Sequence, residues 1–459
     1  MGGKQTNIKP RLIGLLIIIL GVPLAWFLLA RLEGEKPSIQ ADLKSPFIGK
    51  SQELSISVAD RKNGVRKVWV GLVKDGKEIE LHAAAFPSKG FFSGGKVNEK
   101  SFKLTVEPAK LGLSDGEGIL RLVAWDFSWR NWWHGNQAYA EENIVIDTRP
   151  PGIEVMSKAH NVNQGGAGLV IYRTSEPCPE SGVVVGNNFF PGYTGYFKDK
   201  QIRLAFMALG YQQGTGTELY VTATDQAGNR ARAGFYYHIR RKVFRKDTIP
   251  LSEQFLQSKM PEFELAVDLN PHAPLVDQFL KINRDLRRAN YEEFVKRGAN
   301  TDKQMHWEGA FLRLPNAANR AGFADHRTYQ YQGRVIDQQV HLGIDLAALA
   351  NSEVPVANAG KVALVGNVGI YGNTVLVDHG FGLFSMYSHL SRIDVKEGDI
   401  LAKGAPLGRT GSTGLAGGDH LHFSILIHNT FVNPIEWWDA AWIKNNVSDK
   451  LDEVKSRLQ

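Results

Sequence analysis

Two short stretches near the C-terminal end combine residue types that bind metals. HLGIDLA places His341 and Asp345 four residues apart, and HLH places His420 and His422 two residues apart. Side chains alternate faces along a strand, so each pair would point to one side, with the HLH imidazoles about 7 Å apart at their backbone positions. An imidazole–carboxylate–imidazole set drawn from two strands suits Zn²⁺. Three protein ligands would leave one coordination position open for chemistry.

Spacing alone does not distinguish a metal site from a structural role for these residues. His341 and Asp345 could form a simple hydrogen-bonded pair, because short motifs of this kind have many false positives. The chain contains no H-E-x-x-H motif, which excludes that route to a zinc peptidase. His428 shares the parity of His422, but six residues of strand span about 20 Å, so it cannot reach the same ion. His379, in VDHGFG, is expected at a hairpin turn with a structural role.

The elements that must position these residues are predicted to be strands. After residue 305 the chain contains NTVLVDHG, LFSMYSHLS and HLHFSILIH, with the glycine-punctuated stretch VKEGDILAKGAPLGRTGSTG before the last of them. We expect a C-terminal antiparallel β-sheet domain over residues 305–440, followed by an amphipathic helix over 441–459. Apolar residues recur at helical spacing from Leu275 to Leu286, which predicts a helical connector over 250–300.

The region upstream of the connector has the pattern of an all-β protein. Short alternating runs such as LSISV and KVWVGLV are separated by turn residues. Two stretches are alike, LRLVAWDFSWRNWW and LYVTATDQAGNRAR. Each is a predicted strand that ends at an aspartate, Asp126 or Asp225, whose carboxylate can accept N–H groups of the following turn. The pattern resembles bacterial immunoglobulin-like repeats. It predicts two tandem β-sandwich modules, over 38–147 and 148–247, and a mainly β fold class.

The N-terminal region carries a long uncharged run. Leu12 to Ala30 contains no charged residue and is close to the ~20 residues that span a bilayer as a helix. Basic residues precede it, so we expect a cytoplasmic tail over 1–11, an uncleaved transmembrane signal-anchor over 12–30 and the remainder outside the cytoplasm. A cleaved signal peptide is the alternative. Its apolar region is usually shorter, and an A-x-A-like cleavage site is missing here.

Composition narrows the function classes further. The formal net charge of +7 and the sequence pI of about 9.2 fit an anionic envelope polymer or a membrane surface as a partner. No basic stripe interleaved with aromatic residues indicates nucleic acid. Because Cys178 is the single cysteine, an internal disulfide and a cysteine-based zinc site are excluded.

The motifs of the C-terminal region, taken together, resemble the lysostaphin-type (LytM-type) zinc metalloendopeptidases. The similarity runs over about residues 311–438 and includes H-x-x-x-D, S-H-L and H-x-H in that order. In that family the His and Asp of the first motif and the second His of H-x-H bind zinc. The resemblance therefore implies Zn²⁺ as the cofactor, with His341, Asp345 and His422 as its ligands.

The same resemblance implies which histidines take part in the chemistry. The family's histidines that do not bind zinc fall on His389 and His420, which are expected to act as catalytic acid–base groups. Many members also have a tyrosine a few residues before the first motif. GRVIDQQVH has none, so that role is vacant or is filled from a loop, with Tyr329 and Tyr331 as the candidates.

The resemblance implies an enzyme that hydrolyses peptide bonds of peptidoglycan with zinc-activated water. We expect a single-pass protein of the bacterial inner membrane with its C-terminal domains in the periplasm. The expected partners are peptidoglycan, the membrane through the N-terminal helix, and envelope proteins through the β modules, with no nucleic acid. Two alternatives stay open. One is a LytM-type regulator that activates a separate wall amidase, although such regulators usually lack the zinc ligands, and the other is an envelope scaffold or adhesin.

Overall fold

The computed structural model describes residues 8–43, 45–90, 92–263, 270 and 272–459. Those residues divide into two compact units. The first unit extends to Pro150 and includes Asp225–Asn229, and the second consists of Pro151–Thr224 and Arg230–Gln459. Residues 1–7 of the predicted cytoplasmic tail, and residues 264–269 and 271 of the predicted connector, lie outside the described residues.

The first element is a long apolar helix, α1 (Ile8–Arg31), with Pro23 inside it. Its segment Leu12–Arg31 is long and apolar enough to cross a membrane. A signal sequence near the N-terminus can also meet these criteria of length and composition. The structure therefore contains an N-terminal apolar helix of the predicted kind, which fits either an anchor or a signal sequence.

The first unit continues as strands that alternate buried and exposed residues. The elements are β1 (Ser38–Asp42), β2 (Phe47–Ile48), β3 (Gln52–Ala59), β4 (Val65–Lys74), β5 (Lys77–Ala85), β6 (Ser88–Gly90), β7 (Gly94–Gly95), β8 (Glu99–Val106), β9 (Gly116–Asp126), the short turn α2 (Arg130–Trp133) and β10 (Gln137–Ile146). One sheet has the order β1-β3-β8 and a second has the order β2-β10-β9-β4-β5. Residues of both sheets, such as Ile56 and Leu122, belong to one apolar core, so the two sheets pack on each other.

The second unit begins with three small sheets. Their strands are β11 (Ile153–Val155), β12 (His160–Asn163), β13 (Ala167–Thr174), β14 (Glu180–Val185), β15 (Asn188–Pro191), β16 (Ile202–Ala208), β17 (Leu219–Thr224), β18 (Arg230–Gly234) and β19 (Tyr237–Arg240). The sheet orders are β11-β13-β16, β15-β14-β17-β18 and β12-β19. The apolar core of these sheets is continuous with that of the C-terminal region.

A strand and a helical segment follow. They comprise β20 (Lys246–Leu251), α3 (Glu253–Lys259), a 3₁₀ turn (Met260–Phe263), α4 (Leu275–Lys281), a π turn (Ile282–Leu286) and α5 (Arg287–Gly298). Ser252 caps α3 by accepting the N–H of Phe255. Of the apolar residues whose spacing predicted a helix, Phe279 and Ile282 are fully buried, as a core-facing stripe requires.

The C-terminal region is built on one large antiparallel sheet. The strands are β21 (Ala318–Ala321), β22 (His326–Tyr331), β23 (Arg334–Val340), β24 (Ile344–Ala347), β25 (Glu353–Pro355), β26 (Gly360–Asn367), β27 (Asn373–Gly380), β28 (Leu383–Ser388), β29 (Arg392–Ile393), β30 (Ile400–Leu401), β31 (Pro406–Arg409), β32 (Leu421–Ile427) and β33 (Thr430–Val432). The main sheet has the order β21-β24-β32-β28-β27-β26-β30. Its central strands β27, β28 and β32 are buried along almost their whole length.

Two smaller sheets, β20-β22-β23 and β25-β31-β29, flank the main sheet. A 3₁₀ turn (Gly369–Tyr371) precedes β27, and the chain ends in α6 (Pro434–Trp438), α7 (Ala440–Ile443), a π turn (Lys444–Ser448) and α8 (Asp449–Leu458). The predicted mainly β fold class is confirmed, whereas the tandem β-sandwich arrangement stays a prediction. His379 lies within β27 rather than in the turn after it, and its fully buried imidazole bonds Ala359 and Ser385.

Candidate active site

Adjacent strands of the main sheet bring together residues that are distant in sequence. β24 and β32 pair antiparallel, with Asp345 directly opposite His422. On the other side of β32, β28 pairs with Ser388 opposite His422, so the next residue, His389, comes beside the same point. His420 stands one residue before β32. The sheet register therefore gathers four of the predicted site residues at one end of three strands.

His341 reaches this point from a different element than the sequence indicated. HLGIDLA is not one strand, because β23 ends one residue before His341 and β24 begins three residues after it. Gly343, in this connection, lies so close to His422 that a Cβ atom there would come 2.5 Å from Nε2 of the imidazole. The missing side chain allows the connection to pass against His422, which sets His341 beside Asp345.

Three buried donor atoms form a small triangle. Its corners are Nε2 of His341, Oδ1 of Asp345 and Nδ1 of His422, and each pair of these atoms is 2.9 Å apart. The centre of such a triangle is about 1.7 Å from each atom, so an ion displaced by about 1.1 Å from the plane would be about 2.0 Å from all three, the usual Zn–N and Zn–O distance. The geometry therefore fits a zinc ion with three protein ligands.

Hydrogen bonds on the far sides of the two imidazoles determine which nitrogen carries the proton. Nδ1 of His341 lies 2.8 Å from the carbonyl of Gly322, which can only accept, so Nδ1 donates. Ser424 Oγ donates to a backbone carbonyl and lies 3.1 Å from Nε2 of His422, so that Nε2 donates to Ser424. In the neutral rings, two nitrogen lone pairs and a carboxylate oxygen of Asp345 then face one another with no proton between them. This arrangement is repulsive alone and suits a bound cation.

The second oxygen of Asp345 is held by Arg327, a residue that the sequence analysis missed. Nη2 of Arg327, on β22, donates to Oδ2 at 2.9 Å. Burial raises the pKa of the Asp345 carboxyl. Where the surrounding imidazoles are protonated, as they can be when no cation is bound, their charges and hydrogen bonds, His341 first, outweigh burial and hold this pKa well below its usual value. The carboxylate thus stays ionised, as a metal ligand must be.

His389 and His420 stand next to the triangle, with their rings 4.8 Å apart. Each donates through Nδ1 to a backbone carbonyl at 2.8 Å, of Thr413 and Gly418 respectively, which leaves Nε2 as the nitrogen with a lone pair in the neutral ring. Burial, followed by the charge of His420, lowers the pKa of His389 well below its usual value. Burial also lowers the pKa of His420, but the hydrogen bond and charge of Asp345 outweigh burial and raise it overall.

A cavity of about 520 Å³ opens onto all five residues. One wall is contributed by residues 249–252 and Phe255, of β20 and α3, and by Phe279 and Arg287 of the helical segment. Nζ of Lys259, at the end of α3, donates to the backbone carbonyl of Ser412 at 2.6 Å, which holds this wall against the peptide before β32. The helical segment predicted as a connector thus also shapes the cavity.

The structure distinguishes the two candidate tyrosines. Tyr329 lines the cavity, whereas the hydroxyl of Tyr331 donates to Glu253 at 2.6 Å. A β-bulge between Tyr329 and Gln330 changes the register between the two tyrosines. Arg327 and Tyr329 are two residues apart on β22, so their side chains point to the same face of the strand. This spacing was the only feature of the sequence that could have indicated Arg327 as a site residue.

The remaining histidines of the region have other surroundings. The ring of His428 stacks on Tyr193 with centroids 5.9 Å apart, and its Nε2 lies 3.3 Å from the tyrosine hydroxyl. His306 pairs with Asp302 at 2.8 Å. Neither lines the cavity described above, in agreement with the expectation that His428 is too far along β32 to reach the ion.

Residues 339–434 match the model of Peptidase family M23. The chain is 37% identical over 97 residues to the DD-carboxypeptidase/endopeptidase Mpg of Neisseria meningitidis serogroup B, which covers 21% of this chain and 22% of that protein. It is 33% identical over 133 residues to the peptidoglycan DD-endopeptidase ShyB of Vibrio cholerae serotype O1, which covers 28% and 30% of the two chains.

The chain thus spans less than a third of the length of either relative. Among solved structures, the catalytic domain of the antimicrobial peptidase lysostaphin from Staphylococcus simulans is 28% identical, covering 28% of this chain and 98% of that domain with a TM-score of 0.25. His341, Asp345, His389, His420 and His422 all lie within the segment that matches the family model, whereas Arg327 and Tyr329 precede it. The C-terminal part of the chain is therefore a LytM-type domain of peptidase family M23.

Proposed function

We propose that the protein is a zinc metalloendopeptidase that hydrolyses peptide bonds of peptidoglycan. The observation that carries the proposal is the triangle of three proton-free donor atoms at the floor of an accessible cavity. The match to peptidase family M23 and the peptidoglycan DD-endopeptidase among the relatives support peptidoglycan as the substrate. We assign the peptidase domain to residues 305–440, with the helix over 441–459 behind it.

We assign His341, Asp345 and His422 as the zinc ligands. A zinc ion held there would supply Lewis-acid polarisation of a water molecule and of the scissile carbonyl. Gly322 and Ser424 keep the ligand nitrogens proton-free by accepting hydrogen bonds on the opposite side of each ring.

His389 and His420 are assigned to proton transfer. With Nδ1 bound to a carbonyl, each ring presents Nε2 to take a proton from water and return it to the leaving amine. Tyr329, at the cavity wall, is assigned as a hydroxyl donor toward the developing oxyanion.

We further propose that α1 is retained as a membrane anchor over residues 12–30, which places the β modules (38–147 and 148–247) and the peptidase domain in the periplasm. The end of the helix is part of the folded first unit. The backbone N–H of Trp129 donates to the carbonyl of Arg31 at 2.8 Å, and the buried guanidinium of Arg31 bonds Asn63. A signal peptide that is removed has no need for such contacts.

The alternatives of an amidase regulator and of an envelope scaffold differ from this proposal in what the site must do. A regulator or scaffold needs neither convergent ligand atoms nor oriented histidines beside them. The retained ligand set therefore favours the enzyme over both, and activity of the purified protein separates them.

The proposal is tested with three alanine variants of the detergent-solubilised full-length protein. His422→Ala removes a ligand, so zinc content and activity are expected to fall together. His420→Ala and His389→Ala keep all three ligands, so zinc is expected to stay near one equivalent while activity falls by about 10²–10⁴-fold. His428→Ala is the matched control, since it removes a half-buried histidine just beyond the other end of β32, outside the cavity.

The assay is release of peptides from purified peptidoglycan, with new amino termini and no new reducing sugar ends. New reducing ends would identify a glycosidase and refute the peptidase proposal. If His420→Ala lost zinc while His422→Ala kept it, the two roles would be reversed. If all the variants digested peptidoglycan as well as the unaltered protein, the histidine cluster would be structural.

A further inference from the structure

The end of α1 lies against an aromatic cluster of the first β unit. The ring of Phe27, one turn before the end of the helix, lies 5.9 Å from that of Phe92 and 5.5 Å from that of Trp129. The rings of Phe92 and Trp129 are 6.0 Å apart, and Trp133 lies 4.9 Å from Trp129. These aromatic residues come from the tip of the β6–β7 hairpin and from the β9–β10 connection, which meet at the helix end.

Several of these side chains are exposed although they are large and apolar. Trp132 is 89% exposed, Phe92 64% and Trp133 51%. Together with Phe27 and Trp129 they form an aromatic surface beside the helix end, here called the aromatic collar. Exposed apolar surface of this extent on one side of a module is a mark of an interaction site.

The backbone of the β9–β10 connection is held in an unusual conformation that projects Trp132 outward. Asn131, Trp132 and Trp133 are three consecutive non-glycine residues with φ of 48°, 54° and 73°. Such a conformation is costly and persists only where the surroundings enforce it. Here Arg66 donates to the carbonyl of Trp133 at 2.7 Å, and Arg130 donates to the carbonyl of Leu32 at 2.7 Å.

The level of the collar along α1 indicates that lipid headgroups are the partner that contacts these aromatic side chains. Phe27 precedes Arg31, the first charged residue after the apolar span, by four residues, or about 6 Å along the helix axis. If α1 spans a bilayer, this level of the helix lies in the lipid headgroup region. Trp side chains are enriched there because the indole has an apolar body and a polar N–H. Lys89, exposed on β6 near Phe92, adds a cation that suits lipid phosphate groups.

We propose that the aromatic collar is a membrane-docking surface, which inserts into the outer headgroup region of the bilayer that α1 spans. The inference rests on the proposed anchor and goes beyond it, because the first β unit then contacts lipid directly instead of standing away from the bilayer on a flexible tether. Trp132, the most exposed aromatic side chain of the collar, is the one that reports its insertion. The hydrogen bonds between the helix end and the β9–β10 connection set the depth of the collar.

The test is a spin-label depth measurement on the full-length protein in nanodiscs of phosphatidylcholine with phosphatidylglycerol. Single nitroxide labels are placed by Trp132→Cys, Lys110→Cys and Leu20→Cys, each in a Cys178→Ala background. Lys110 is the matched control, since it is exposed beyond the far end of β9, a strand whose 11 residues span about 35 Å. Leu20 reports insertion of the helix. Collision rates with O₂, which partitions into lipid, and with a water-soluble nickel chelate give the depth of each label.

The expected result is an O₂-to-nickel collision ratio at Trp132→Cys several times higher than at Lys110→Cys and lower than at Leu20→Cys. If Leu20→Cys is deep while the label at 132 is as exposed to nickel as that at 110, the docking proposal is wrong and the anchor stands. A label at 132 shielded from both reagents would indicate protein packing and refute docking on lipid. A label at 20 that nickel reaches freely would refute the anchor, and the docking surface with it.

Discussion

The buried carboxyl group of Glu436 leads to a prediction of how the free energy of unfolding changes with pH. This residue of α6 is 6% exposed, and its carboxylate accepts hydrogen bonds from Asn163 Nδ2 at 2.6 Å and from the backbone N–H of Ala167 at 2.8 Å. Gly166, which lies between Asn163 and Ala167 in the sequence, is so close to Glu436 that a Cβ atom at Gly166 would come 2.4 Å from Oε1 of Glu436. Glu436 thus joins the peptidase sheet region to the turn before β13.

Burial raises the pKa of Glu436 from 4.5 to about 7, although the hydrogen bonds from Asn163 and Ala167 oppose this rise. The folded protein therefore holds the Glu436 proton more tightly than the unfolded chain. The stabilisation from this proton is complete below about pH 4.5 and is lost as the pH rises through about 7. A shift of this size corresponds to about 3 kcal/mol of unfolding free energy lost across that interval.

Glu436→Gln removes the titration but keeps a buried acceptor for the N–H of Ala167. The variant is expected to gain stability relative to the unaltered protein as the pH rises, by up to about 3 kcal/mol between about pH 4.5 and about pH 7, with no further gain above it. Urea unfolding of the solubilised protein at a series of pH values measures the difference, and Glu218→Gln, at an exposed position of the same unit, is the control. A difference that is independent of pH, or that falls with rising pH, would refute the assignment of a raised pKa.

Three further predictions concern the site. Asp345→Ala is expected to hold little zinc by elemental analysis, and its melting temperature should not change when a chelator is added. His428→Ala should keep its zinc and should melt at a lower temperature with the chelator. Equal zinc content in the two variants would contradict the ligand assignment. Arg327→Gln weakens the grip on Asp345 Oδ2 and is expected to lower zinc affinity by about 10–100-fold in competition with a chelating dye, with unchanged affinity as the contrary result. Tyr329→Phe is expected to lower kcat by about 10²-fold with zinc retained, while Tyr331→Phe, whose hydroxyl bonds Glu253 instead, keeps its rate. Equal rates for both tyrosine variants would remove Tyr329 from the chemistry.

The residue types of the candidate site could be identified from the sequence because metal chemistry strongly restricts the choice of ligand side chains. His341, Asp345 and His422 were identified from motifs, and the structure brings their donor atoms within 2.9 Å of one another. Arg327 was not identified, because no local pattern distinguishes an arginine that bonds a buried carboxylate such as Asp345 from one that faces solvent. The position of His341 was also misjudged, since the turn at Gly343 depends on the approach of β32 rather than on neighbouring residues.

The sequence by itself determined the strand-rich character of the chain, the apolar N-terminal helix and the residue types available for metal binding. These properties depend on hydrophobic periodicity and side-chain chemistry, which are local. Only the tertiary structure decided that Asp345 and His422, 77 positions apart, stand opposite each other. It also decided that a helical segment forms one wall of the cavity and that aromatic residues from two connections contact Phe27 near the end of α1. Such juxtapositions depend on strand register and loop packing, to which residues far apart in the chain contribute together.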